Sequence, residues 1–197
     1  MRDPWQESDV PRGAAYDRRF EDLAVSGMDM HGEAALVASL APEPTQSVLD
    51  AGCGTGRVAI ELNRRGHVVV GIDVDVAMLE AARAKAPDLI WMHGDLADPG
   101  LDLDGQTFDI VVMAGNVLIF VPPGSEEQVI DNAARWLRPG GHLISGYCLK
   151  PDGFGPRRHD VLAARSGLVL QDRWSTWDKH PSTPGDHYAV AVHRREI

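Results

Sequence analysis

Short apolar runs alternate with stretches of helical periodicity along most of the chain. Five such runs lie near Ser47, His67, Leu89, Phe108 and His142, and they are rich in valine, isoleucine and leucine. Runs that are apolar almost throughout are typical of strands covered on both faces. Because helical segments separate most of these runs, the pattern predicts an α/β domain with a mainly parallel sheet.

Both ends of the chain depart from this alternation. Residues 168–177 and 187–193 alternate between apolar and polar positions, which predicts the strands of an antiparallel hairpin. Near the other end, residues 14–25 and 31–40 are predicted to be helices because their apolar residues or good helix formers recur at helical spacing. Residues 1–12 are mostly polar, so we expect a flexible arm there.

The composition restricts the classes of partner. The chain has 197 residues, the size of one domain, and its 19 basic and 29 acidic residues give a formal net charge of −10. Its arginine pairs are scattered, so the sequence shows no basic stripe that could follow a phosphate backbone. We therefore expect a small-molecule ligand and no nucleic-acid partner.

The cysteines and the lengths of the apolar runs indicate in which compartment of the cell the protein works. The spacing of Cys53 and Cys148 does not match a metal site, and the N-terminal residues lack the pattern of a secretory signal. The longest apolar stretch, residues 110–123, is too short to span a bilayer. These features predict a cytoplasmic protein with no bound metal and no membrane segment.

A glycine-rich turn follows the first predicted strand. Gly52, Gly54 and Gly56 alternate with other residues, and Asp50 precedes them at the end of the strand. Glycine accepts positive φ and lets a ligand approach the backbone closely, so the turn is a candidate cofactor site. A tight turn without any ligand is the alternative. The Gly-x-Gly-x-Gly spacing differs from the Gly-x-Gly-x-x-Gly fingerprint of dinucleotide-binding proteins.

A carboxylate also closes each of the next two predicted strands, with Asp73 after the second and Asp95 after the third. A carboxylate at the end of the second strand can accept hydrogen bonds from both hydroxyls of a ribose. The alternative, that the residue caps the following helix, suits Asp75 better than Asp73.

Five blocks at these intervals resemble the class I S-adenosylmethionine-dependent methyltransferases that act on small molecules. The blocks are VLDAGCGTGR, VVVGIDVDVAML, HGDLAD, FDIVVMAGNVLIF and LRPGGHLISGY, and they cover residues 46–147. The resemblance implies a Rossmann-like fold. Its seven-stranded, mostly parallel sheet would have the order 3-2-1-4-5-7-6, with strand 7 antiparallel, helices on both faces and an N-terminal helical lid.

The same resemblance implies roles for individual residues in binding S-adenosylmethionine, whose product is S-adenosylhomocysteine. Asp50 is expected near the methionine end, Asp73 at the ribose, Asp95 at the adenine amino group and the Leu96 N–H at a ring nitrogen. The complete set expected at the cofactor is Tyr16, Asp50, Gly52, Cys53, Gly54, Gly56, Asp73, Val74, Asp95, Leu96, Ala114 and Asn116.

Simpler structural roles remain open for some of these residues. Tyr16 would then only pack its helix, Asp50 would bind turn amides, Cys53 would be a small turn residue and Asn116 would form a turn. No catalytic residue is assigned, because His31, His159 and His180 are only weak candidates for a general base. Aromatic residues near the hairpin are candidates for lining an acceptor pocket, namely Trp174, Trp177 and Tyr188, together with His180.

These observations predict a methyltransferase that moves a methyl group to a small-molecule acceptor by in-line displacement. A nicotinamide-dependent oxidoreductase and a non-catalytic S-adenosylmethionine-binding module are the alternatives. Residues 13–197 would form one domain, working as a monomer or homodimer. Its parts would be a helical lid (13–45), a cofactor-binding core (46–147) and a C-terminal helix and hairpin (148–197).

Overall fold

The computed structural model describes residues 4–27, 29–40, 45–150 and 153–196. The strands are β1 (Ser47–Ala51), β2 (Val68–Asp73), β3 (Ile90–His93), β4 (Phe108–Met113), β5 (Leu137–Cys148), β6 (Leu168–Trp174) and β7 (Tyr188–Arg195). The helices are α1 (Ala14–Val25), α2 (Gly32–Leu40), α3 (Arg57–Arg64), α4 (Val76–Lys85), α5 (Val117–Phe120), α6 (Glu126–Trp136) and α7 (Pro156–Arg165). Every strand and helix expected from the sequence is present, and the short α5 is an addition.

The strands form a mixed sheet in the order β3-β2-β1-β4-β5-β7-β6. β1 pairs in parallel with β2 and β4, and β3 and β5 continue the parallel part on either side. β7 runs antiparallel between β5 and β6. The predicted α/β topology is therefore confirmed. Since the strand order reverses between β1 and β4, the carboxyl ends of these strands open a crevice of the kind that binds ligands.

Helices cover both faces of the sheet, which explains the continuous apolar runs. Val48 and Val112 belong to the cluster that packs under α2, α3 and α4. Leu49 and Val111, their neighbours along the same strands, belong to the cluster under α6 and α7. All four side chains are fully buried. Alternate residues of β1 and β4 therefore enter separate apolar layers, and a polar residue on either face would lose its contact with water.

β5 starts at Leu137 rather than at His142, the start that the sequence predicts. Its register against β4 shifts here, so the Arg-Pro-Gly-Gly segment bulges opposite Asp109. A Cβ at Gly141 would lie 2.8 Å from the carbonyl oxygen of Asp109. This close approach accounts for the glycine, and it makes the segment part of the sheet rather than a connection into it.

The two N-terminal helices are attached differently. α2 buries Ala34, Leu36 and Val37 and packs against α3. α1 has no fully buried residue, and Tyr16 and Phe20 on its inner side are half-buried. α1 is therefore held mainly by the polar and aromatic contacts described below. None of the helices in the described ranges is long and apolar enough to cross a membrane.

Candidate cofactor-binding site

A cleft opens at the carboxyl ends of β1, β2 and β4, where the sheet topology predicts a ligand site. It encloses about 1030 Å³, the space at its open mouth included. Its lining contains every residue predicted to bind the cofactor except Gly56 and Asn116. Residues from five segments of the sequence that are predicted separately therefore meet in one place.

The glycine turn lies against the end of β2. The N–H groups of Gly52 and Cys53 both donate to the carbonyl of Ile72, at 2.8 and 3.0 Å. The Gly54 N–H donates to the Asp73 carboxylate at 2.7 Å. At Gly52, where φ is +77°, an added Cβ would lie 2.4 Å from Val117 Cγ2. Both the backbone conformation and the packing therefore require glycine there.

Asp73 is buried at the end of β2 and supports the turn through its carboxylate. Oδ2 accepts from the Gly54 N–H, and Oδ1 accepts from the Asp75 N–H at 2.9 Å. Burial raises the pKa of Asp73, although these backbone donors lower it. Each carboxylate oxygen has a second lone pair, so Asp73 can still accept from hydroxyl groups in the cleft.

Asp50 lies at the end of β1 and is 1% exposed. Its Oδ2 accepts from the Ala59 N–H in α3 at 3.0 Å. Burial raises the pKa of Asp50 to about 7, although the Ala59 hydrogen bond and the positive charge of Arg57 lower it. The residue therefore lines the cleft and also binds an amide of the adjoining helix, rather than the turn amides considered for it.

The loop after β3 supplies the third carboxylate. Asp95 is exposed, and its Oδ1 accepts from the Ala97 N–H at 2.8 Å. The neighbouring Leu96 is buried, and its carbonyl accepts from the Asn132 side-chain amide of α6 at 2.8 Å. α6 therefore fixes the loop beside the cleft.

Gly56 and Asn116 lie outside the cleft lining and have structural roles. Gly56 has a φ of +82°, and an added Cβ would lie 2.4 Å from the ring of Trp91. Asn116 also has positive φ, and its Oδ1 accepts from the Cys148 N–H at 2.7 Å. Asn116 therefore ties the end of β4 to β5, as in the turn-forming alternative considered for it.

The N-terminal residues Trp5 and Tyr16 line the cleft and cover it, and the segment that carries them is called the roof. Trp5 donates through Nε1 to Asp75 Oδ2 at 3.0 Å, and its ring makes a T-shaped contact with that of Phe120, with ring centres 5.5 Å apart. The Arg12 guanidinium lies 3.6 Å from the centre of the Trp5 ring and also donates to Asp75 at 2.8 Å. Asp75 is the N-cap of α4, as expected, so the roof is attached to a helix start.

α1 extends this roof. Tyr16 lines the cleft and packs on Phe20, with ring centres 5.0 Å apart, and burial raises the pKa of Tyr16. The neighbouring Asp17 accepts from the Thr55 hydroxyl at 2.5 Å and pairs with Lys85 at 2.7 Å. Thr55 belongs to the glycine turn, so α1 is attached directly to the floor of the cleft.

Arg57 begins α3 immediately after the glycine turn. Its guanidinium donates to both oxygens of Glu33, one at 2.9 Å, and lies 4.6 Å from the centre of the Phe20 ring. The three weak candidates for a general base lie elsewhere: His31 and His180 are exposed, and His159 is buried against Tyr147. None of these histidines lines the cleft.

Several lining residues were not predicted. They are Trp5, Thr55, Arg57, Val58, Met78, Val117, Phe120, Val121 and Pro122. Thr55 lies within the glycine turn, and Arg57 and Val58 follow it directly, so their place in the sequence could have indicated them. Trp5 lies in a segment predicted to be flexible, and no spacing connects it with Asp75. In the described ranges, no group of three or more His, Cys, Asp or Glu residues is placed to hold a metal ion.

The glycine turn, the carboxylates at adjacent strand ends and the switch in strand order define an α/β protein that binds a nucleoside-containing cofactor. The family is shown by comparison. Residues 48–141 match a family model described as a methyltransferase domain. A TehB-like SAM-dependent methyltransferase from Corynebacterium glutamicum superimposes with a TM-score of 0.84 at 33% identity, covering 92% of this chain and 97% of that one. The chain belongs to the class I S-adenosylmethionine-dependent methyltransferase family, as the sequence predicted.

Curated relatives agree with this assignment. An uncharacterized methyltransferase of Mycobacterium tuberculosis is 36% identical over 135 residues, which are 68% of this chain and 53% of that protein. The dTDP-3-amino-3,6-dideoxy-alpha-D-glucopyranose N,N-dimethyltransferase of Streptomyces fradiae is 28% identical over 171 residues, covering 85% of this chain and 64% of that protein. The chain spans about half the length of the first of these relatives.

Proposed function

We propose that this protein is an S-adenosylmethionine-dependent methyltransferase that acts on a small-molecule acceptor. One observation carries the proposal. Asp50 and Asp73 lie at the carboxyl ends of β1 and β2, Asp95 follows the adjacent β3, and all three line one cleft together with the glycine turn.

The residues of this cleft fit S-adenosylmethionine. The cofactor has a positive sulfonium, a positive amino group, two ribose hydroxyls and an adenine amino group, and the cleft offers three carboxylates. We assign Asp50 to the methionine amino group, Asp73 to the ribose hydroxyls and Asp95 to the adenine amino group. When bound, the cofactor supplies a methyl group that is activated for transfer by positive sulfur.

The chain itself would mainly position the reactants and keep water out. Asp73 and the glycine turn hold one another through the Gly54 hydrogen bond, so the cradle is formed in advance. Trp5 and Tyr16 cover the cleft from the N-terminal side, which limits the access of water to the reacting groups. No histidine lines the cleft in the part of the chain that the structure describes, so deprotonation of the acceptor is assigned to no residue.

A small acceptor is favoured by the negative net charge of the chain and by the roof over the cleft. The Streptomyces relative is named for methylation of a nucleotide-linked amino sugar, which is also a small molecule. A cytoplasmic location and a monomeric or homodimeric state are parts of the same proposal. Cys53 and Cys148 are both free thiols, in line with a reducing compartment.

Of the two alternatives to a methyltransferase, the family assignment leaves only the non-catalytic cofactor-binding module. A nicotinamide-dependent oxidoreductase is not supported, because the matching family model and the similar solved structure are both methyltransferases. A non-catalytic cofactor-binding module would bind S-adenosylhomocysteine but would produce none from S-adenosylmethionine. Formation of S-adenosylhomocysteine that depends on an added acceptor would exclude this alternative.

The cofactor site is tested by calorimetric titration with S-adenosylhomocysteine. We expect wild-type protein to bind it and Asp73→Ala to weaken binding by about 1.5–3 kcal/mol, roughly 10- to 150-fold, through loss of charge-assisted hydrogen bonds. Asp88→Ala, an exposed carboxylate before β3, serves as the control and should bind as wild type. Near-ultraviolet circular dichroism would verify that each variant is folded. Absence of binding by folded wild-type protein would refute the proposed function.

A further inference from the structure

A second groove lies between α1, the start of α2 and the loop after β6, next to the cofactor cleft. It encloses about 820 Å³ with its open mouth. Phe20, Trp177 and Tyr188 contribute half-buried aromatic rings to its wall. Arg57 lines both the groove and the cofactor cleft, so the two cavities share a side chain at their boundary.

Hydrogen bonds fix the aromatic wall against the end of the sheet. Trp177 Nε1 donates to the Tyr188 hydroxyl at 3.3 Å, and that hydroxyl donates to the carbonyl of Ala114 at 3.2 Å. An added Cβ at Gly146 would lie 2.2 Å from the Trp177 ring, so glycine leaves the space that the indole fills. Because Ala114 also lines the cofactor cleft, this wall reaches the edge of the cofactor site.

Negatively charged side chains outnumber positively charged ones among the described residues of the groove. Asp29, Glu33 and Asp178 contribute carboxylates, whereas Arg57 contributes the one positive charge among the described residues of the lining. Arg57 is already paired with Glu33 through both carboxylate oxygens. Asp29 and Asp178 are exposed at the mouth, so the groove presents an excess of negative charge beside aromatic side chains.

We infer that this groove binds the methyl acceptor and selects molecules that carry an amino group on an apolar or aromatic body. The inference rests on the proposed function and adds the acceptor class to it. An ammonium ion is attracted by carboxylates and by the faces of Trp177 and Tyr188, and an apolar body packs on the same rings. A carboxylate or phosphate acceptor would meet repulsion at the mouth, because Arg57 is neutralised by Glu33.

Methyl transfer to an amine needs no reactant besides S-adenosylmethionine, the amine and water. The ammonium group first gives one proton to water at the open mouth of the groove, and the neutral amine then moves inward to the boundary with the cofactor cleft. The nitrogen lone pair then forms the bond to the methyl carbon, and the sulfur keeps the electron pair of the bond that breaks. The methylated product is again a cation, and S-adenosylhomocysteine is released.

The test compares amines with acids of similar skeleton. The amines are 2-phenylethylamine and tryptamine, and the acids are 3-phenylpropionate and indole-3-propionate. Each is titrated calorimetrically into protein saturated with S-adenosylhomocysteine, and methyl transfer from S-adenosylmethionine is measured in parallel. We expect the amines to bind at least fivefold more tightly than the acids, and methylation to be confined to the amines.

Variants separate the groove from the cofactor site. Asp29→Asn combined with Asp178→Asn should weaken amine binding at least fivefold, and Trp177→Phe serves as a second variant that keeps an aromatic ring. The control is Asp172→Asn, an exposed carboxylate of β6 outside the groove. S-adenosylhomocysteine should bind all of these proteins equally. Its binding therefore reports on the proposed function separately from the acceptor class.

The inference is overturned if the acids bind as tightly as the amines or if neither set binds while S-adenosylhomocysteine does. It is also overturned if the double variant binds amines as wild type does. Failure of wild-type protein to bind S-adenosylhomocysteine would instead refute the proposed function.

Discussion

Replacement of Asp50 by asparagine should change how stability depends on pH. The Asp50 carboxyl is buried at the end of β1, and its pKa is raised from 3.8 to about 7. Between these two values the folded protein holds a proton that the unfolded chain has released. The folded state therefore binds more protons, and the unfolding free energy that Asp50 contributes falls as pH rises through this window. Asp50→Asn cannot ionise, so it escapes this loss.

The expected size follows from the two pKa values. A difference of about three pKa units corresponds to roughly 4 kcal/mol once pH exceeds both values. Part of this loss is already present at pH 5. Between pH 5 and pH 8, therefore, the unfolding free energy of Asp50→Asn should rise relative to wild type by about 2–3 kcal/mol. The asparagine oxygen can still accept from the Ala59 N–H, so the local hydrogen bond is retained.

Urea unfolding at a series of pH values between 5 and 8 measures this difference directly. Both proteins contain the same remaining titratable groups, so their contributions cancel when wild type is subtracted from variant. Asp88→Asn, which replaces an exposed carboxylate, should show no such trend. A difference between Asp50→Asn and wild type that stays within about 0.5 kcal/mol across this range would show that burial does not perturb Asp50 as argued here.

Two further variants test the packing around the cleft. Gly56→Ala should lower the unfolding free energy by at least about 2 kcal/mol more than Gly66→Ala in urea unfolding, because both glycines have positive φ but only Gly56 faces a ring, that of Trp91, at 2.4 Å. Equal losses of unfolding free energy in the two variants would show that backbone strain alone, and not the contact with Trp91, causes the loss. Trp5→Ala should weaken S-adenosylhomocysteine binding roughly tenfold in calorimetry, because the hydrogen bond to Asp75 and the roof contact are lost. Unchanged affinity would contradict a role for this roof in binding.

The sheet and the floor of the cleft could be predicted because they depend on local sequence. Apolar runs define the strands, and a parallel sheet brings the ends of adjacent strands together. Asp50, Asp73 and Asp95 thus reach one cleft from positions that the strand ends alone specify. The glycine turn is predictable for the same reason, since positive φ is a property of the residue itself.

The roof and the exact lining depend on contacts between distant parts of the chain. Trp5 reaches Asp75 across 70 residues, and nothing in the local pattern of either segment indicates this pairing. At Gly56 and Asn116 the backbone conformation could be predicted, but the contacts of the residue could not. Both adopt positive φ, as sequence reasoning anticipates for residues in turns, but the neighbours that decide whether they face a ligand or a protein atom are visible only in three dimensions.

The attachment of the N-terminal segment has a practical consequence for trimming the chain. The family model recognises residues 48–141, which contain the glycine turn and the strand-end carboxylates. A fragment with these limits would lack Trp5 and Tyr16, and it would end inside β5, before the residues of that strand that pair with β7. The edge of β4 that pairs with residues 142–145 of β5 would then be unpaired and prone to aggregate. The segment that the family model matches is therefore shorter than the segment that must be kept to study ligand binding.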